Sequence, residues 1–291
     1  MRAAMILCAG LGTRLRPLTD WLAKPMVPIG DAPAVEHIAA RLRSAGFERL
    51  AVNVHHRPED VRAWAARTRA AISEEPELLG TAGGVARARE LLGDGDVLVW
   101  NGDILADVDV DALIATHEAS GADATLAVAP RAAAHEGNVG LDARGRVVRL
   151  RRESFGEETI GADFIGVHVV GRAIRASLPE RGCLVGDVYI PALRRGAHVG
   201  THVVSTPFVD VGSIGQYVAA NRAWLDRRGE PSWLGPDAVV RARIDGSIVG
   251  AGARVEADAI GCIVWPGARV SERVEAAVVT PHGIVRFARD A

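Results

Sequence analysis

Lys24 is the only lysine among the 34 lysine and arginine side chains of this protein. On a solvated surface arginine and lysine exchange almost freely, so a compositional drift to arginine spares lysine mainly where a compact, flexible ammonium is required. Lys24 lies shortly after Ala9-Gly10-Leu11-Gly12-Thr13, a glycine turn that follows an apolar run and leads into Arg14. Glycines after a strand present backbone N–H groups to an anion. Leu15 stands where a dinucleotide fingerprint needs a third glycine, and no lysine follows at the spacing of a Gly-x4-Gly-Lys-Ser loop. The pattern reads as a phosphate-cradling loop supplemented by Arg14, with Lys24 supplied by the next loop.

Two carboxylates close apolar runs. Asp103 ends Asn101-Gly102-Asp103 at the carboxyl end of a buried strand, where open α/β sheets place ligands. Asp210 lies in Phe208-Val-Asp-Val-Gly212, just before a helix. An aspartate in such a place commonly forms a turn or caps a helix, and Asp107, Asp109 and Asp111 are read as caps. Gly80-Thr81-Ala82-Gly83-Gly84 opens a helix, with Thr81 as its cap. The nine histidines form no ligand spacing, and His55-His56 reads as a solvated loop pair. Trp64, Trp100 and Trp224 fall in apolar patterns and read as core.

The elements that must hold these residues alternate. Apolar runs at 3–9, 50–54, 97–100 and 123–129 read as strands, and helical spacing is found at 33–46, 58–70, 83–92 and 110–120. Repeated units of this length imply an α/β fold, a Rossmann-like, mixed but mostly parallel sheet flanked by helices. After residue 130 the texture changes: a hairpin at 138–150, a strand at 164–170, a helix at 185–195, short strands at 202–211 and a long helix at 213–227. Arg227-Arg-Gly-Glu-Pro-Ser232 is the linker, dividing a domain at 1–228 from a tail at 233–291. In the tail, aliphatic-Gly-x-Gly-Ala units return at irregular intervals and suggest two or three short β-helix coils.

With Thr13-Arg-Leu-Arg-Pro-Leu-Thr19, Lys24-Pro25, Gly80–Gly84, Asn101–Asp103 and Phe208–Gly212 in this order, residues 3–226 resemble the sugar-1-phosphate nucleotidylyltransferases. The tail resembles the left-handed, hexapeptide-type β-helix appended to several members. The resemblance implies transfer of a nucleotidyl group from a nucleoside triphosphate to a sugar 1-phosphate, with release of pyrophosphate. It implies that Arg14 and Lys24 are catalytic and that Ala9, Gly10, Leu11, Gly12, Thr13, Gly80, Thr81, Ala82, Gly83, Asn101 and Gly102 bind the nucleotide. It further implies that Gly137 and Gly166 contact the sugar phosphate and that Asp103 and Asp210 hold Mg²⁺. Mannose-1-phosphate guanylyltransferases and N-acetylmuramate-1-phosphate uridylyltransferases look most similar, with the GTP and mannose 1-phosphate pair favoured. The chain departs from the family at Arg149-Leu-Arg-Arg-Glu-Ser154, where many members place a sugar-contacting Glu-Lys-Pro. A regulatory homologue without activity is a rival, weighed against by the intact Arg14, Lys24, Asp103 and Asp210. A nicotinamide-binding protein is another, weighed against by Leu15.

Composition sets the remaining bounds. A net charge of −2 gives no electrostatic reason to expect nucleic acid or a membrane as partner, and 4% aromatic residues argue against a single-strand stacking platform. Cys8, Cys183 and Cys262 are widely spaced, in keeping with a reduced, cytoplasmic chain. Met1-Arg2 and the apolar stretch after it resemble a short signal sequence, but no cleavage region follows, and a buried first strand is the reading. The tail is a candidate contact surface for a second copy of the chain.

Overall fold

A computed structural model describes residues 2–288. Backbone contacts divide them into two compact units. One comprises the chain up to Gly10 with Ile38–Phe208, and the other Leu11–His37 with the chain from Val209 onward. These units are spatial, and they cross the boundary expected at residues 228–233.

Along the chain β1 (Ala3–Leu7), α1 (Ala34–Ser44), β2 (Arg49–Val54), α2 (Pro58–Thr68), β3 (Ala71–Glu74), α3 (Gly80–Arg87) and β4 (Val97–Asn101) alternate as expected. The strands pair β4–β1–β2–β3, all parallel. Ala3 to Ile6 are buried without alternation, as a strand covered on both faces requires. β3 has no counterpart in the sequence reading. Ala71-Ile-Ser-Glu74 is short and half polar because it pairs on one side only, with β2. The expected helix at 83–92 begins earlier, as α3, and breaks before Arg89–Leu92.

The next elements are α4 (Val110–Ser120), β5 (Ala124–Pro130), β6 (Val139–Leu141), β7 (Val147–Leu150), β8 (Ile160–Val170) and β9 (Val199–Val203). β8 runs antiparallel to β4, β5 and β6, and β9 joins β5 in parallel, so the sheet is mixed. β6 and β7 form the expected hairpin. Asp109 caps α4, accepting from the Ala112 N–H at 2.9 Å, whereas Asp107 and Asp111 pair with Arg41 and Arg2. Trp64 and Trp100 are buried core residues.

His168 on β8 is buried between the stacked ring of Phe164 and the edge of Tyr189. Burial pushes its imidazole pKa down to about 3. The unfolded chain therefore binds a proton that the folded one refuses between the ordinary histidine value and about pH 3. Stability should fall as pH drops through that window, by up to about 1.4 kcal/mol per pH unit for this group. Urea midpoints across that window should fall less steeply for His168→Phe than for the wild type.

In the second unit, short turns at Thr13–Leu15 and Lys24–Met26 lead to a hairpin, Pro28–Ile29 with Ala32–Pro33. α5 (Ile214–Arg228) packs on that hairpin and is capped by Ser213, which accepts from the Gln216 N–H at 3.4 Å. Gly30 has φ +61°, and a Cβ there would run into the Trp224 indole. Trp224 cannot retreat easily, since it meets Trp233 edge-on at 5.3 Å and carries the Arg228 guanidinium 4.9 Å over its ring. Gly30→Ala should therefore cost about 2–4 kcal/mol through overpacking and left-handed strain. A lowered denaturant midpoint at unchanged m-value is the expected readout.

Three ladders of two-residue strands follow. Trp233, Ile248, Ile263 and Val278 stand in register, as do Val239, Arg254 and Arg269, and Ile244, Ala259 and Val274. The β-helix period is thus regular, at fifteen residues per coil, where the sequence had seemed irregular. It is also shorter than the roughly eighteen residues that three hexapeptides would occupy. The apparent irregularity arises because the conserved spacing lies in backbone register, while the residue types at each level differ.

Candidate active site

In the first unit, the carboxyl ends of β1 and β4 lie side by side. The Gly102 N–H donates to the Leu7 carbonyl at 3.0 Å, which places Asp103 beside Cys8. The Cys8 thiol is pushed far above its ordinary pKa, first by burial and then by the Asp103 charge, so it remains a neutral thiol. Gly166 on β8 has φ +79° and approaches the Asn101 side chain, bringing this candidate sugar contact to the Asn101–Asp103 turn. Gly137, also left-handed, bridges to Ala162 near the start of β8.

The glycine segment Gly80–Gly84 forms the first turns of α3. Thr81 does not cap it. Its hydroxyl instead accepts from the Leu184 N–H at 2.7 Å, while the Ala82 N–H donates to the Gly182 carbonyl at 2.8 Å. The helix begins before Thr81, so this side chain lies inside the first turn and is free to pin the 182–184 segment.

Beneath α3 lies a polar network that the sequence reading missed. Asn53 accepts from the Cys8 N–H at 2.7 Å and donates to Glu75 Oε1 at 2.7 Å, and Glu75 Oε2 accepts from the Leu79 N–H at 3.1 Å. Both side chains are buried, so the network fixes the end of β1 to the start of α3. His55, expected in solvent, is half-buried, with Nδ1 2.8 Å from the Glu75 carbonyl. An asparagine inside the apolar strand 50–54 was the available signal.

Around Gly137, Arg149 ties the neighbouring backbone together. It binds Glu158 through Nε at 2.7 Å and Nη2 at 3.0 Å and also donates to the carbonyls of Glu136, Gly137, Val139 and Arg151. The Arg149 hydrogen bonds hold the Glu158 carboxyl below its usual range despite burial. Arg149→Met would leave the Glu158 carboxylate, among the described residues, with only the His135 N–H and ring as partners and should cost about 1–3 kcal/mol. The shift in chemical-denaturation free energy measures it. Arg151 lies on Cys183, with Nη2 3.3 Å from Sγ, and Arg152 is exposed.

In the second unit the glycine loop turns at Gly12, φ +63°, where the Thr19 hydroxyl donates to the Gly12 carbonyl at 2.9 Å. Lys24 packs against the same turn: a Cβ on Gly12 would sit 3.1 Å from Lys24 Cβ and closer still to the Thr19 methyl. Arg14 Nη2 lies 3.9 Å from Asp210 Oδ2, with the Arg14 side chain 69% exposed. An exposed pair at that distance holds weakly, so Arg14 is available to an incoming anion. Gly12, Arg14, Lys24 and Asp210 thus gather in one unit, and Ala9, Gly10, Asn101, Gly102, Asp103, Gly80–Gly83, Gly137 and Gly166 belong to the other.

Residues 3–152 match the family model described as nucleotidyl transferase, which covers half of the chain. The chain belongs to that family. It is 28% identical over 246 residues to a UTP–glucose-1-phosphate uridylyltransferase of Synechocystis, covering 77% of this chain and 63% of that protein. A mannose-1-phosphate guanylyltransferase of Mycobacterium tuberculosis is 32% identical over 204 residues, covering 65% of this chain and 55% of that protein. An N-acetylmuramate α-1-phosphate uridylyltransferase of Caulobacter vibrioides is 35% identical over 195 residues, covering 62% of this chain and 79% of that protein. The chain spans less than two thirds of the length of the first two. Among solved structures, HddC from Yersinia pseudotuberculosis, complexed with GMP-PN, superposes with a TM-score of 0.64 at 21% identity, over 77% of this chain and all of that one. That likeness establishes the fold, the nucleotide-diphospho-sugar transferase type.

No helix among the described residues is long and apolar enough to cross a membrane. Nor do three or more His, Cys, Asp or Glu side chains cluster into a self-contained metal site among the described residues. The donors near Asp103 nevertheless suit Mg²⁺. With Cys8 held as a thiol, the carboxylate is the hard ligand there, and Mg²⁺ characteristically takes one or two carboxylates plus phosphate oxygens and water.

Proposed function

We propose that the protein transfers a nucleotidyl group from a nucleoside triphosphate to a sugar 1-phosphate, yielding a nucleotide sugar and pyrophosphate. Residues 1–228 carry the reaction and 233–291 form the tail. The observation that carries the reading is the Gly12 turn, against which the lone lysine packs while Arg14 and Asp210 share its unit. Such a reaction needs charge neutralisation and in-line positioning rather than covalent help. The acceptor phosphate is already ionised at neutral pH, so no general base is required.

In this reading the loop amides from Gly10 to Thr13 and the Arg14 guanidinium hold the β- and γ-phosphates. Lys24 compensates the charge that gathers at the α-phosphate. Asp103 and Asp210 would hold Mg²⁺, whose contribution when bound is to neutralise phosphate charge and align the two substrates. The Gly80–Gly83 turn faces the base, and Gly137 and Gly166 face the sugar phosphate. GTP and mannose 1-phosphate are the favoured pair, supported by the guanylyltransferase relative. UTP and N-acetylmuramate 1-phosphate are the second reading, supported by the uridylyltransferase relative.

A pyrophosphate-release assay over four triphosphates and a panel of sugar 1-phosphates tests both. Highest kcat/KM with GTP and mannose 1-phosphate is expected. Preference for UTP moves the assignment to the second reading, and release with no pair removes the activity, leaving a regulatory binding protein.

A further inference from the structure

We propose that Trp265, on the third coil of the tail, is a positioning residue for Lys24, so that the tail belongs to the reaction machinery. The corner position occupied by Trp265 is glycine one and two coils earlier, at Gly250 and Gly235, each donating to the equivalent carbonyl of the next coil. At the third level an indole replaces the glycine, and its Nε1–H leaves the coil to donate to the Tyr217 hydroxyl on α5 at 2.9 Å. Tyr217 in turn donates to the Pro28 carbonyl at 2.9 Å. Asn221, one turn further along α5, donates to the same carbonyl at 3.4 Å and accepts from the Gly30 N–H at 2.9 Å.

Trp265, Tyr217 and Asn221 are all buried, so these bonds are directional and shielded from water. From Pro28 the chain back to Lys24 has little freedom. The Lys24–Met26 turn bonds the Val27 N–H to the Lys24 carbonyl at 3.3 Å, and Pro25 and Pro28 fix their own backbone angles. Packing of this loop on the tail includes the Trp21 ring, 5.6 Å from that of His282, but it is not continuous. A cavity of about 320 Å³ opens there, lined by Trp21, Met26, Pro28, Gly250, Trp265 and His282 among others. Beside that ring contact, the hydrogen-bonded relay is the directional link between the tail and the loop, and so to the ammonium at its start.

The proposal rests on the role given to Lys24 above, and the test separates the two. Trp265→Phe keeps a ring and deletes the donor; Tyr217→Phe deletes the next link. In the full-length protein each should lower kcat about tenfold with the KM values within about twofold, because small displacements of a transition-state charge are costly. The double variant should be no slower than Tyr217→Phe alone. In a Lys24→Ala background, Trp265→Phe should leave the residual turnover, followed with radiolabelled nucleotide, unchanged. Wild-type kcat in Trp265→Phe, or the same fold-loss in the Lys24→Ala background, would overturn the relay and leave a merely structural tryptophan. If Trp265→Phe melts without a cooperative transition, Tyr217→Phe carries the same comparison alone. Full turnover in Lys24→Ala itself overturns the reading of the site, and the relay with it.

Discussion

Lys24→Ala is expected to lower kcat by two to three orders of magnitude, or about 2.7–4 kcal/mol of transition-state stabilisation, with little change in melting temperature. The side chain is half-buried against the Gly12 turn, and the backbone of its own turn is held by Pro25 and by the Met26 N–H to the Ala23 carbonyl. Truncation thus removes a charge while the backbone bond of the turn stays in place. Lys24→Arg is the sharper comparison. A planar fork carries the same charge but needs different partners, so recovery of only a small part of the lost rate is expected. Steady-state pyrophosphate release with saturating substrates decides both. Equal turnover in all three proteins would refute an ammonium at the reacting phosphate.

Asp103→Asn should lower turnover by a comparable or larger factor and raise the Mg²⁺ concentration needed for half-maximal rate. The substitution is close to isosteric, and the Gly102 N–H to Leu7 carbonyl bond of the turn that carries Asp103 is left intact. Removing the negative charge also removes one of the two causes that hold the Cys8 thiol protonated; burial, the larger cause, persists. Cys8 should therefore stay inert to alkylating reagents in the variant, and loss of activity cannot be ascribed to thiol chemistry. A metal titration with the wild-type midpoint would remove Asp103 from the metal site.

Much of the fold was legible because its central strands are buried on both faces. Ala3–Leu7 and Val97–Asn101 are short, unbroken apolar runs that lead into glycine turns, as strands covered on both faces do. The candidate site residues Lys24, Arg14, Asp103 and Asp210 stand out in the sequence by charge and position, and their roles rest on the proposal above. What stayed hidden is whatever depends on partners distant in sequence. Nothing in the segment around Thr81 says that its hydroxyl is occupied by Leu184, one hundred and three residues away. Nothing in Arg149 alone says that it spends its guanidinium on Glu158 and a ring of carbonyls. The coil period was hidden for a similar reason. Backbone register fixes it, and the side chains at equivalent levels range from glycine to tryptophan.

That regular period has an evolutionary corollary. Because all three ladders repeat every fifteen residues, adding or removing a whole coil keeps every level in register. Each coil advances the structure by one inter-strand spacing, about 4.8 Å. The tail therefore works as a graduated ruler. Losing or gaining one graduation would carry a different corner residue to the level where Trp265 now stands, whereas an insertion of another length must loop out at a corner.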